Sequence, residues 1–188
     1  SLCAANGGRS VATTMGFSAL DGLMMGTRSG NLDPGVLLYL MEQGWSHAQI
    51  EKLLYKQSGL LGVSGISADM RTLHQSGSES ARFAIDLFAH RVVREAGAMA
   101  ACLQGLDVIA FSGGIGEHDA ALRQQVCDED VIRLGADSRS GEIEQVEHHG
   151  CAGARSAGLD GLVTDQRQRL SRHLAGPEQG RSGGSGRV

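Results

Sequence analysis

Lysine is nearly missing from this chain: of its 17 basic residues, only Lys52 and Lys56 are lysine and the rest are arginine. Positive charge is not in excess either. The net charge is −4 with both signs interspersed, which argues against a general nucleic-acid binder, since that would carry a basic face. Aromatic residues make up only 4%, so the core must be built mainly from aliphatic side chains. No apolar run approaches the roughly 20 residues that a bilayer-spanning helix needs. The opening stretch SLCAANGGRS has neither a basic start nor an apolar segment, so no secretory leader is expected. The four cysteines, Cys3, Cys102, Cys127 and Cys151, are widely spaced without a C-x-x-C pair. They read as buried thiols of a reducing compartment rather than a disulfide or zinc framework, with the cytoplasm as the expected location.

What the chain has is length and glycine. Its 188 residues suit one domain or a little more, and its 28 glycines are about twice the usual 7% share. Residues 1–14 read as a β-hairpin turning at Asn6-Gly7-Gly8. After a glycine-punctuated loop over 15–32, Asp33 can cap a helix with Pro34 in its first turn. Ser46 and Gln49 are spaced as a capping box for a second short helix, stopped at Ser58-Gly59. Residues 59–79 read as loop. A long helix then spans about 78–104, because Ala84, Leu87, Phe88, Val92, Ala96, Met99 and Leu103 recur at helical spacing. His90, within it, reads as a packing residue. The run LDVIAFS at 106–112 reads as a buried strand, GGIGEHD as a tight turn and AALRQQVC as a further helix. That order is the grammar of an α/β domain with a mixed or parallel sheet. Beyond residue 128 periodicity fades. Residues 128–175 are expected to be poorly patterned, with one helix starting at Thr164, and 176–188 to be a disordered tail. The enrichment in Arg, Gly, Ala and Ser there is what a GC-rich gene read out of frame produces.

Three stretches carry chemistry. In SGGIGEHDAALR, glycine follows a strand and precedes a helix, a place where backbone approaches a nucleotide or phosphate closely; a plain tight turn is the competing reading. In MMGTRSGNLDP, Arg28 sits among Gly26, Thr27, Ser29 and Gly30, where its planar guanidinium suits a phosphate or carboxylate; the competing reading is an exposed loop arginine. In SADMRTL, Asp69 and Arg71 offer polar contacts beside Met70; the competing reading is Ser67 or Asp69 capping a short turn. His118, after Glu117, offers a base or a ligand, the competing reading being a partly exposed histidine at a helix start, and His148-His149 lack the spaced partners of a metal site.

Together and in this order, SVATTMGFSALDGLMMGTRSGNLDPGVLLYLMEQG, SGLLGVSGISADMR and IAFSGGIGEHDAALR resemble the C-terminal half of the acetate kinase family, over about residues 1–127. The resemblance implies an α/β fold of the ribonuclease H-like, actin-like ATPase kind, shared by the acetate and sugar kinases, heat-shock-70 and actin. It implies transfer of the γ-phosphoryl of ATP, with Mg²⁺, to acetate or another short carboxylate such as propionate, giving an acyl phosphate and ADP in a homodimeric enzyme. Neither nucleic acid nor membrane enters this chemistry. By resemblance Arg28 stabilises the phosphoryl in transit. Asp69, Met70 and Arg71 contact the adenosine, with Met70 standing where many members have phenylalanine. Gly114, Ile115, Gly116, Glu117 and His118 form the turn under the nucleotide, His118 replacing a frequent asparagine. No metal ligand is identified. The family's N-terminal domain, its H-L-G-N-G phosphate segment and its P-T-N-E-E segment have no counterpart in these residues. The expectation is a nucleotide-binding piece with little or no turnover alone.

Overall fold

The computed structural model describes residues 1–128 and the backbone of 144–147. The expectations for the poorly patterned segment, the Thr164 helix, the tail, Cys151 and His148-His149 lie outside the described residues.

The chain opens with the expected hairpin, β1 (Cys3–Asn6) and β2 (Arg9–Thr13), antiparallel around Gly7-Gly8 with a bulge between Ala4 and Ala5. Seven helices follow among the described residues: α1 (Pro34–Glu42), α2 (His47–Lys56), α3 (Gly59–Ser64), α4 (Met70–Ser76), α5 (Glu79–Leu103), α6 (Gly113–His118) and α7 (Ala120–Asp128). Between α5 and α6 runs β3 (Val108–Phe111), which pairs in parallel with β4 (Glu144–Glu147).

The caps explain the boundaries. Asp33 accepts from the Gly35 amide and starts α1. Ser46 accepts from the Gln49 amide while the Gln49 side chain accepts from the Ser46 amide, so the capping box of α2 is complete. Ser78 accepts from the Ala81 amide and opens the 25-residue α5. At its other end Gln104 takes the left-handed cap, with φ 60°. Gly59 does not end a helix but begins α3, and residues 59–79, expected as loop, hold both α3 and α4. Short helices of six and seven residues carry too few periodic positions to register in sequence; tertiary packing stabilises them.

The core gathers around the first half of α5. Ala81, Ala84, Ile85, Phe88 and Ala89 pack with Met24, Leu60, Met70, Leu73, Leu122 and Val126. A smaller cluster at its far end joins Ala100 and Leu106. Three expectations change. His90 is exposed on α5 rather than packed. Strand β3 is half exposed, with Val108 at 50%, because the four-residue β4 is its one partner among the described residues. Of the cysteines, Cys127 is buried but Cys3 and Cys102 are exposed. Helix α1 has no buried residue at all. Among the described residues no helix is long and apolar enough to cross a membrane.

Candidate nucleotide cleft

Helix α4 and the α6–α7 corner form the two walls of a cleft of about 560 Å³. Asp69, Met70, Arg71 and His74 line one side, and Gly114, Ile115, His118 and Asp119 the other. The size lies in the range of small-molecule sites, roughly 300–1,000 Å³. Two of the three stretches singled out in the sequence, 45 residues apart from Asp69 to Gly114, therefore face one space.

On the α4 wall, Asp69 is the helix cap. Its Oδ1 accepts from the amides of Arg71, at 2.9 Å, and Thr72, at 3.2 Å. Its Oδ2 accepts from Arg71 Nη2 at 3.1 Å. The Arg71 side-chain bond, followed by the Thr72 amide, holds the Asp69 carboxyl below its ordinary pKa, and Asp69 in turn raises Arg71. The capping reading of this stretch is thus what the hydrogen bonds show. Arg71 is largely exposed, 83% by side chain, so its free guanidinium face looks outward. Met70 is only 4% exposed and belongs to the core; it offers the cleft a small apolar patch rather than a whole thioether arm.

On the other wall the expected tight turn is a helix, α6. The Glu117 carboxylate folds back to accept from the Gly113 amide at 2.9 Å, so the first amide of α6 is already engaged. His118 ends α6 rather than starting a helix, and its Nδ1 lies 3.0 Å from the Gly114 carbonyl oxygen. Gly116 and Glu117 belong to the same helix without lining the cleft. The carbonyls of Gly116 and Glu117 accept from Arg123 Nη1, at 3.0 and 2.7 Å. Arg123 is 8% exposed. A buried guanidinium thus closes the C-terminal end of α6.

Arg28 is not among the residues lining this cleft. Its half-buried side chain reaches the Ala19 carbonyl, Nη1 to O 3.4 Å, and Met25 Sδ at 3.8 Å. Its guanidinium carbon stands 5.9 Å from the centre of the Tyr55 ring. The loop around it is pinned in place by backbone bonds: Leu60 to the Met25 carbonyl, Leu61 to Gly26, Ser58 to Thr27 and Ser29 to Leu54. Four residues that the sequence did not single out matter here. His74, Gln75 and Asp119 line the cleft, and Arg123 buttresses α6. His74 stands four positions after Met70 and so shares its helix face, a signal that periodicity could have supplied.

With this geometry in view, comparison with known proteins is specific. The acetokinase family profile matches residues 1–151, beyond the motif-bearing stretch that ends near 127. The chain is 58% identical over 130 residues to the acetate kinase of Rhodopseudomonas palustris strain TIE-1, which covers 69% of this chain and 33% of that one. It is 48% identical over 149 residues to the acetate kinase of Rickettsia felis, covering 79% and 38%. Among solved structures it is similar to the Porphyromonas gingivalis acetate kinase, with TM-score 0.65 and 39% identity over 74% of this chain and 36% of that one. It is also similar to a propionate kinase of Francisella tularensis, with TM-score 0.67 and 34% identity over 77% and 42%. The chain belongs to the acetokinase family, and its fold is that of the acetate and sugar kinase, heat-shock-70 and actin ATPases. It spans about a third of the length of the curated relatives it matches.

Proposed function

We propose that this chain is the nucleotide-binding C-terminal part of a kinase that moves the γ-phosphoryl of ATP to acetate, yielding acetyl phosphate and ADP. The observation that carries this reading is the single cleft shared by Asp69-Met70-Arg71 and Gly114-Ile115-His118. Its residues fit a nucleoside: an apolar patch at Met70 and Ile115, a charged rim at Asp69 and Arg71, and close backbone at Gly114. Arg28 is assigned the phosphoryl group in flight. The transition state of such a transfer is loose and rich in charge, so a permanently charged, planar donor lowers its energy by position alone.

Magnesium accompanies ATP in this chemistry and neutralises phosphate charge. Among the described residues no group of three or more His, Cys, Asp or Glu side chains could hold it, and none is assigned to it. Acetate is preferred over propionate as acceptor because the curated relatives quoted above are named acetate kinases. The similarity to a propionate kinase keeps propionate as the second substrate to test. A cytoplasmic, homodimeric enzyme is the assembly in keeping with this role.

By itself the 188-residue chain is expected to bind ATP weakly and to turn over little or no acetate. One arginine accelerates transfer only where both substrates are held in line, and that positioning draws on more of the enzyme than these residues supply. In this state it is a non-catalytic nucleotide-binding or dimerising piece. ATP binding by calorimetry alongside an ADP-release assay with acetate, ATP and Mg²⁺ tests the proposal. Binding without turnover is the expected result. Saturable acetate-dependent turnover, abolished by Arg28→Ala, would overturn the inactivity; absence of ATP binding would count against the cleft.

A further inference from the structure

Across the cleft, His74 and Asp119 meet. His74 Nε2 lies 2.9 Å from Asp119 Oδ2. An aspartate carboxylate only accepts, so the imidazole donates through Nε2. His74 is on the last turn of α4, on the same helix as Asp69, Met70 and Arg71. Asp119 is the corner residue between α6 and α7. Its amide donates to the Ile115 carbonyl and closes α6, while its Oδ1 accepts from the Leu122 amide at 3.0 Å and caps α7. The Asp119 side chain is only 11% exposed, and that of His74 39%. Three helices therefore converge on one residue: α6 through its backbone amide, α7 through Oδ1 and α4 through the imidazole on Oδ2.

We propose that His74 and Asp119 form a clasp that fixes the spacing of the cleft's two walls, and so act as positioning residues for the nucleotide. The proposal rests on the nucleotide reading of the cleft. The geometry separates this function from ordinary helix capping. Capping α7 occupies Oδ1, and a serine could supply it. Oδ2 is directed at another element, 45 residues back in the chain. Otherwise the walls share an apolar core, in which Met70 and Leu73 of α4 and Leu122 and Val126 of α7 join the buried side chains of α5. Such contacts are non-directional and leave freedom to slide; a hydrogen bond at the rim adds the directional restraint. The cleft's other ionic side chains do not compete for the pair. Asp69 and Arg71 bond each other, and His118 Nδ1 turns to the Gly114 carbonyl.

The test uses the 188-residue chain in five forms: wild type, His74→Ala, Asp119→Ser, the double variant and His74→Gln. Asp119→Ser retains a cap for α7 but is too short to reach His74. His74→Gln serves as the conservative rescue, since its amide keeps a donor. Amide hydrogen exchange over 69–76 and 113–119 reads the clasp without any ligand, and ATP titration by calorimetry reads its effect on binding. Faster exchange in both segments for either single variant, no additional increase in the double, and partial recovery in His74→Gln are the expected results. Unchanged exchange in Asp119→Ser would overturn the clasp. For ATP, each single variant should weaken binding by roughly two- to fivefold, in keeping with a partly exposed pair, and the double should be no worse. Wild-type ATP binding that is undiminished in the variants would overturn the positioning role alone. No ATP binding by the wild type would count against the nucleotide reading, while exchange still decides the clasp.

Discussion

Gly26 lies directly against Ala68: a Cβ on Gly26 would stand 2.8 Å from the Ala68 carbonyl oxygen. That approach seats the Arg28 loop on the residue just before Asp69, the start of the cleft's α4 wall. The two stretches are thus mechanically joined although the Arg28 side chain points toward Ala19 and Tyr55. What holds the loop in this seat can be tested residue by residue.

Gly59 is the first test. Its φ is +63°, and a Cβ there would run into the carbonyl oxygens of Met25 and, at 2.8 Å, Arg28. Both acceptors are backbone and cannot swing aside. Gly59→Ala should cost roughly 2–4 kcal/mol, combining left-handed strain with overpacking. Urea unfolding checks this, and a loss under about 0.5 kcal/mol would show that the loop is loosely seated.

Arg123 is the second. Its buried guanidinium donates to two carbonyls at the end of α6, and removing it leaves them to compete for water in a poorly accessible place. Arg123→Ala should destabilise by about 2–3 kcal/mol, with the α6 amides losing exchange protection first. Arg123→Lys should recover only part, because an ammonium lacks the planar, multiple-donor geometry. Full recovery would reduce the residue's role to charge.

Asp69 gives a pH signature. Its folded pKa lies below its ordinary value, chiefly through Arg71, so folding favours the ionised form. The stabilisation is fully present above the ordinary carboxylate range and is lost as pH falls through the lowered folded value. Asp69→Asn should therefore flatten the acid limb of a stability profile measured below about pH 4. The effect should be small and should shrink with salt, because the pair is exposed to solvent. A steeper acid limb in the variant would reverse the assignment.

Arg28 separates function from architecture. Its contacts are a long hydrogen bond, a sulfur contact and a distant ring, so Arg28→Ala should cost no more than about 1 kcal/mol of stability. A thermal shift equivalent to several kcal/mol would mark Arg28 as a structural residue rather than one held ready for an anion.

Legibility from sequence followed the range of the forces involved. The hairpin turn, the Asp33 and Ser46 caps and the long α5 were readable because each depends on residues within a few positions of one another. Helices α3 and α4 were not, since they are too short to show a period and are stabilised by Leu60, Met70 and Leu73 packing on α5. The GGIGEH segment was misread as a turn because its helix is held by Glu117 on Gly113 and by Arg123 from the next element. His90 reads as a packing residue from its place inside the long helix, whereas its position faces outward.

The motifs alone determined the family, because local order and spacing survive in a one-dimensional record. Tertiary structure alone decided that Asp69 and Gly114 share a cleft, that His74 reaches Asp119 and that the Arg28 guanidinium turns toward the Tyr55 ring. Those relationships join residues tens of positions apart, and only the folded chain brings them near one another.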